Sequence, residues 1–330
     1  MPFCLGYDSF AVQDGAGAQI QRILAIESLA IFLNTGFSHH NILDIDSNYG
    51  DGLNDLTSKF DFVEKLNRYL DFKKYSCKHS THIIKRLLPI QKRSYFFMFT
   101  LYLYRFVLSK RKNNYLLLID NPYPGIFKRT KMYNSVRVRH QFPAKAITQT
   151  LSIKVHLPWA GVGAGQLLDR QISLEWYKEL LLNLNDYLLG FGFRCNFTFH
   201  TDGIQGLKRD LLSLGVSEKT KDYWRLNGLL SNQKMNWSYI DVKKEFEVLP
   251  NVEVISGITP IEVWNDMADG DILVLAKSSL SNVGGLLNLN ALKIIPPTAF
   301  GLPEDFHPIS VEELKSHGKL EKILAFHFNF

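Results

Sequence analysis

Hydrophobic and polar positions along this chain switch repeatedly between the two-residue period of strands and the 3.6-residue period of helices. FCLGYDSFAV, from Phe3 to Val12, alternates as a strand does and ends at a glycine turn, Asp14-Gly15-Ala16-Gly17-Ala18-Gln19. IQRILAIESLAIFLNTG then sets Ile20, Ile23, Leu24, Leu29 and Ile31 at helical spacings and is expected to stop at Gly36. HHNILDID predicts a short strand, and DGLNDLTSKFDFVEKLNRYLDF a polar loop running into a helix. YLLLID, from Tyr115 to Asp120, predicts a strand closed by Asn-Pro-Tyr-Pro-Gly.

The pattern restarts after Pro143 to Thr150. A strand, LSIKVHLPW, precedes a second glycine-rich loop, AGVGAGQ, and a helix, SLEWYKELLLNLNDYLL. Next come a strand (RCNFTFHTD), a polar helical region, a strand (VEVISG), a helix (TPIEVWNDMADG), a strand (DILVLAKSSLS) and a helix of small residues. ISVEELKSHGKLEKILAF predicts one closing helix that reaches back over the first domain. Alternating strands and helices predict an α/β chain with parallel sheets covered on both faces. The expected organisation is two Rossmann-like domains, residues 1–148 and 149–330, facing a central cleft.

Charge changes this picture more than composition does. The 330 residues are 46% hydrophobic with a net charge of +6, which excludes a disordered chain. From Lys73 to Thr150, however, 17 Lys and Arg face a single acid, Asp120, so this insert-like stretch carries +16 and the rest of the chain −10. Within it lies SYFFMFTLYLYRFVL, from Ser94 to Leu108. This run is too short to span a bilayer, which takes ~20 apolar residues. Three readings of it stay open: a core helix, a helix on an anionic membrane surface, and a nucleic-acid groove without a recognition motif, the least favoured. Cys4, Cys77 and Cys195 suggest neither a disulfide framework nor a zinc site, hence a reducing compartment. The N-terminus has no signal-peptide pattern, so the expected location is cytoplasmic, peripheral on the inner face of a membrane.

Four constellations suit an anionic ligand. In DGAGAQIQR, Gly15 and Gly17 let a backbone approach an anion at a helix start, and Arg22 follows within about a turn. The absence of Gly-Lys-Ser/Thr, and Ile20 where a third glycine would fall, exclude a Walker loop and the GxGxxG pattern. VHLPWAGVGAGQLLDR puts His156 at a strand end and Arg170 beyond a glycine loop. FHTDG is another polar strand end, with Thr201 and Asp202. In AKSSLSNVGGLLN an apolar strand runs into Lys277, Ser278, Ser279 and Ser281 before a helix, a setting for phosphate or ribose as well as for a serine cap.

The order GxGxQxxR, a strand carrying VH, a strand ending in Thr-Asp, and DILVxxKSSxS before a small-residue helix resembles fucosyltransferase-like glycosyltransferases. That group comprises nodulation, core α1,6 and protein O-fucosyltransferases. The resemblance touches residues 8–36 and 150–300. It implies a GT-B-type fold and a nucleotide-sugar donor, with GDP-fucose favoured. By it, Gly15, Gly17 and Gln19 face the donor, His156 is the histidine of an HxR motif, Thr201 and Asp202 match a Thr-Asp pair, and Ser278, Ser279 and Ser281 match the donor serines. Where the motif has arginine this chain has Pro158, so Arg170 or Arg22 must supply the charge.

Transfer of a sugar expels a nucleoside diphosphate whose charge needs a metal or fixed donors. Asp44-Ile45-Asp46 and Asp269-Gly270-Asp271 are poor metal sites, the second reading as turn residues, so no metal and no cofactor beyond the donor is expected. Asp14, His39, His40, Asp44 and Asp46 are all eligible as the base of an inverting reaction. The acceptor expected is a cell-surface glycan or lipid-linked saccharide. Another nucleotide-donor transferase, or a non-catalytic binder of nucleic acid or anionic polymer, is the alternative.

Overall fold

The computed structural model describes residues 3–7, 15–38, 41–42, 45, 56–69, 82–85, 94–110, 114–119, 148–157, 172–201, 242–256, 258–298, 302–316 and 318–329. They fall into two compact units, one holding most of the chain up to Gln141, the other most of the chain from Phe142 onward.

The first unit contains β1 (Phe3–Tyr7), α1 (Ala16–Phe32), β2 (Gly36–Ser38), α2 (Leu56–Tyr69), β3 (His82–Lys85), α3 (Ser94–Ser109) and β4 (Tyr115–Ile119). Its four strands are parallel in the order β2-β1-β4-β3. All five residues of β1 are buried, as a central parallel strand requires. A side chain at Gly6 would put its Cβ 2.9 Å from the Ser38 carbonyl oxygen, so glycine permits the close approach of β2.

α1 ends at Phe32, and Asn34 turns the chain at φ 47° so that β2 begins at Gly36. The strand expected in HHNILDID is therefore displaced. Phe37, fully buried and in register with Leu5, takes the central position instead. The described residues of that run, Asn41, Ile42 and Ile45, lie outside any strand. The backbone of Ile42 is satisfied by one side chain: its N–H donates to Asn67 Oδ1 at 2.7 Å and its carbonyl accepts from Asn67 Nδ2 at 2.9 Å.

The basic stretch is not merely an insert. It supplies β3 and β4, half of the first sheet, with Ile83 opposite Leu116. Cys4 is disulfide-bonded, contrary to the expectation of no disulfide among the cysteines, while Cys195 is free and buried.

The second unit contains β5 (Thr150–His156), α4 (Leu174–Gly190), β6 (Arg194–Thr201), α5 (Val242–Glu245), β7 (Val252–Ser256), α6 (Pro260–Ala268), β8 (Ile272–Val274), α7 (Ser279–Leu287), β9 (Leu292–Ile295), β10 (Phe306–Pro308), α8 (Val311–Lys315) and α9 (Gly318–Phe328). Its six strands are parallel in the order β10-β9-β8-β5-β6-β7. The chain steps outward from β5 through β6 to β7, then returns to the other side of β5 and continues through β8 to β10. This is the doubly wound order of dinucleotide-binding sheets, with its switch point between β5 and β8.

On one face, Leu151, Ile153, Val155, Phe197 and Phe199 pack with Trp176, Tyr177, Leu180 and Leu184 of α4. The tail joins the same core through Leu314, Leu320 and Leu324. Trp176 Nε1 donates to the Ile309 carbonyl at 2.8 Å, and Asn183 Nδ2 to the Leu314 carbonyl at 3.2 Å. The tail is two helices rather than one. α8 opens with a Ser310–Glu313 capping box and stops at Ser316, and α9 restarts at Gly318.

Candidate functional site

Two strand ends meet at the switch point of the second sheet. β5 ends at His156, whose backbone is held on both sides of the residue: its carbonyl accepts from the Tyr177 hydroxyl at 2.9 Å, and the next N–H, of Leu157, donates to the His200 carbonyl at 2.9 Å. The His156 side chain is buried, and its Nδ1 has no hydrogen-bond partner. Burial first, and then the neighbouring His200, push its pKa down to about 3. At neutral pH it is therefore an uncharged imidazole.

The second strand end runs from β8 through Leu275 and Ala276 to Lys277 and Ser278. Ser278 is the N-cap of α7, its Oγ accepting from Leu280 N at 3.2 Å. Ser281 is fully buried; its Oγ accepts from Ala276 N at 3.1 Å, with the carbonyls of Ala276 and Ser278 as acceptors for its hydroxyl, both at 3.2 Å. Ser281 thus clamps the strand end to the helix, while Lys277, Ser278 and Ser279 are only half-buried. No acid stands in the first turn of α7, whereas α4, α6 and α8 each carry a glutamate there. An acid in the first turn stabilises a helix start but repels an anion. The start of α7 keeps its favourable field for one.

Beside this strand end, the face of the sheet opposite α4 carries a polar strip among apolar neighbours. Lys154 on β5 lies opposite Thr198 on β6, and His156 opposite His200. Asp266 of α6 meets the strip: Lys154 Nζ reaches its carboxylate at 2.8 Å and Thr198 Oγ1 at 3.3 Å, and His200 Nε2 lies 2.8 Å from Asp266 Oδ2. Burial alone would raise the Asp266 carboxyl, but hydrogen bonds from His200 and Lys154, with the charge of Lys154, hold it below the usual carboxylate range. A carboxylate only accepts, so the shared hydrogen sits on His200 Nε2. His200 Nδ1 is buried with no hydrogen-bond partner, like Nδ1 of His156 opposite it. Two side-by-side imidazoles with unused buried nitrogens suit a polar ligand group or ordered water.

Of the other residues singled out above, Gly15 is the N-cap of α1 at φ −62° and ψ 157°, with no side-chain cap and no acid in the first turn. The helix starts at Ala16, earlier than its first apolar residue at Ile20, because Ala16, Ala18 and Gln19 are themselves good helix formers. Gly17 and Gln19 are buried and Arg22 is half-buried. These four belong to the first unit. Thr201 is the last residue of β6. Arg170, Asp202, Asp14, His39, His40, Asp44 and Asp46, and the loop AGVGAGQ, lie outside the described residues.

In the Asp-Gly-Asp string, Asp269 caps the end of α6 and Asp271 Oδ2 accepts from Ser152 N at 2.7 Å, so both are turn and ladder residues. Among the described residues, no group of three His, Cys, Asp or Glu could hold a metal ion.

No protein-family model matches the chain, and no curated protein matches it. Solved fucosyltransferase structures do resemble it. NodZ α-1,6-fucosyltransferase co-crystallised with GDP aligns with a TM-score of 0.36 at 12% identity, covering 87% of this chain and 92% of that one. Selenomethionine NodZ from Bradyrhizobium aligns with a TM-score of 0.34 at 11% identity over the same shares. A further NodZ structure gives 0.32 at 11%, covering 87% of this chain and 93% of that one.

Sequence reading singled out His156, Thr201 and the Lys277–Ser281 run but not Lys154, Thr198 and Asp266, which meet on one face of the sheet. The signal was available in LSIKVHL and NFTFHT, where polar residues recur at every second position inside otherwise apolar strands. Asp266 leaves no such mark, since one acid on a short helix reads as solvated.

Proposed function

We propose that this chain is a glycosyltransferase that takes a sugar from a nucleotide-sugar donor, a GDP-fucose-like one being favoured, and that the donor's diphosphate docks at the switch point of the second sheet. One observation carries the reading. A doubly wound sheet brings an acid-free helix start, with Lys277, Ser278 and Ser279, to the strand next to the one that ends in His156. Open α/β sheets bind nucleotides at that place, and the motif order of the chain resembles nucleotide-sugar transferases.

In the reaction, an acceptor hydroxyl oxygen attacks the anomeric carbon, and the bond from that carbon to the phosphate oxygen breaks. The nucleoside diphosphate leaves with the electron pair, and the acceptor proton passes to a base on the enzyme. The charge growing on the leaving group falls to Lys277, to the first N–H groups of α7 and to Arg22 or Arg170, in place of the arginine that Pro158 replaces. Neutral His156 donates a hydrogen bond without adding charge. The transfer is inverting and metal-independent, onto a glycan or lipid-linked saccharide at the cytoplasmic face of a membrane.

The test is release of nucleoside diphosphate from GDP-, UDP-, CDP- and dTDP-sugars, with and without saccharide acceptors. One nucleotide class is expected to turn over, with Lys277→Ala slower by about a hundredfold, the usual cost of one contact to developing charge. Turnover of none contradicts the reading. Full activity in both Arg22→Ala and Arg170→Ala removes those arginines from it.

A further inference from the structure

α3 is apolar on two opposite sides, one buried and one exposed among the described residues. Leu101 and Leu108, two turns apart, are buried, and the helix packs on β1. On the other side Phe99, Tyr102, Leu103, Phe106 and Val107 recur at helical spacing and are exposed by 64, 43, 51, 60 and 42%. Phe32 of α1 extends this surface, its ring meeting that of Tyr102 edge-on at 6.3 Å. Lys110 Nζ lies 3.8 Å above the Phe106 ring, placing a cation at the border of the stripe. Single exposed apolar residues are ordinary, but a contiguous aromatic stripe marks an interaction surface.

Charge selects the occupant. In sequence, Lys92-Arg93 precede the helix and Lys110-Arg111-Lys112 follow it, within the stretch that carries 17 basic residues and one acid. A second copy docked stripe to stripe would bring two such basic stretches together, at a repulsive cost. An anionic bilayer surface supplies both a place for the aromatic rings, at headgroup depth, and the counter-charge. α3 has 16 residues, and no helix of the described residues is long and apolar enough to span a membrane.

We propose that α3 is a docking helix for anionic membrane surfaces, entering the interface with Phe99, Tyr102, Leu103, Phe106 and Val107. The proposal stands on the first unit alone and does not depend on the donor reading of the second.

The experiment is flotation of the full chain with vesicles of phosphatidylcholine, alone or mixed with phosphatidylglycerol, at low salt. Wild type is expected to float with the mixed vesicles and far less with the neutral ones. Phe99→Glu/Phe106→Glu should lower binding by about tenfold or more, while Phe99→Leu/Phe106→Leu keeps most of it. Cooperative urea unfolding of each variant confirms that its fold is retained. Absence of flotation with mixed vesicles, or equal flotation of the Glu variant, overturns the proposal. Sedimentation showing a dimer that the Glu variant abolishes, with no vesicle binding, overturns it in favour of self-association.

Discussion

His156 and Asp266 are the two residues on which the second unit's interior chemistry turns, and both make sharp predictions. The pKa of His156 lies at about 3 in the fold and near 6.5 in an unfolded chain. The depressed value means that the unfolded state takes up the proton first as pH falls. Stability linked to His156 is whole above about pH 6.5 and is lost as pH drops toward 3, by about 1.4 kcal/mol per pH unit. Urea unfolding across that range should show a shallower acid slope in His156→Asn than in wild type; identical slopes contradict the buried neutral imidazole. Asp266 neutralises Lys154, whose side chain is only 9% exposed. Removing one partner of such a pair leaves a buried charge unpaired, so Asp266→Ala should cost about 3 kcal/mol. Lys154→Met/Asp266→Leu should cost less than that single change, and a loss under about 1 kcal/mol in Asp266→Ala would show that Lys154 is not held as described.

Two adjacent glycines set how closely α7 approaches its neighbours, Gly284 facing α6 and Gly285 facing the sheet. A Cβ at Gly284 would lie 2.3 Å from Met267 Sδ of α6, and one at Gly285 would lie 2.8 Å from both Leu275 Cδ1 and Phe306 Cζ. Gly285→Leu should therefore destabilise by about 1–3 kcal/mol through overpacking, measured by urea unfolding, and an unchanged midpoint would show the helix free to move outward. Asn288 ties the other end of α7 down, its Nδ2 donating to the carbonyls of Met267, Ala268 and Gly270 at 3.0 to 3.2 Å.

Most of these elements were legible because their periodicity is long: α1, α3 and α4 each run for 16 or 17 residues. β2, β3, β9 and β10 were not, since strands of three or four residues hold too few alternations to show a period. HHNILDID misled because Ile42 and Ile45 are buried without joining a sheet. A side-chain amide from Asn67, invisible in local sequence, takes the ladder's place at Ile42.

At the scale of the whole molecule, a modest net charge conceals a basic stretch and an acidic remainder, and the structure gives each a different task. The basic stretch builds half of the first sheet and carries the exposed aromatic helix. The second unit carries a six-stranded sheet in dinucleotide-binding order, with Lys154, His156, Thr198 and His200 as a buried polar strip on β5 and β6. Strand order was beyond sequence reading, because DILVLA and LSIKVHL pair across more than a hundred intervening residues. The candidate site was legible where a strand ran visibly into polar residues, as at Lys277, and hidden where long-range pairing made the neighbourhood, as between His156 and His200.

The central claim is that a nucleotide binds at the switch point of the second sheet. Its most direct test is thermal unfolding of the full chain with GDP, UDP, CDP or TDP, in wild type and in Lys277→Ala. Ligand at a hundred times its Kd adds about 2.7 kcal/mol of stability. One nucleotide, GDP by preference, is expected to raise the Tm of wild type by several degrees and that of Lys277→Ala by much less; no shift with any of the four, or an equal shift in both proteins, contradicts the account.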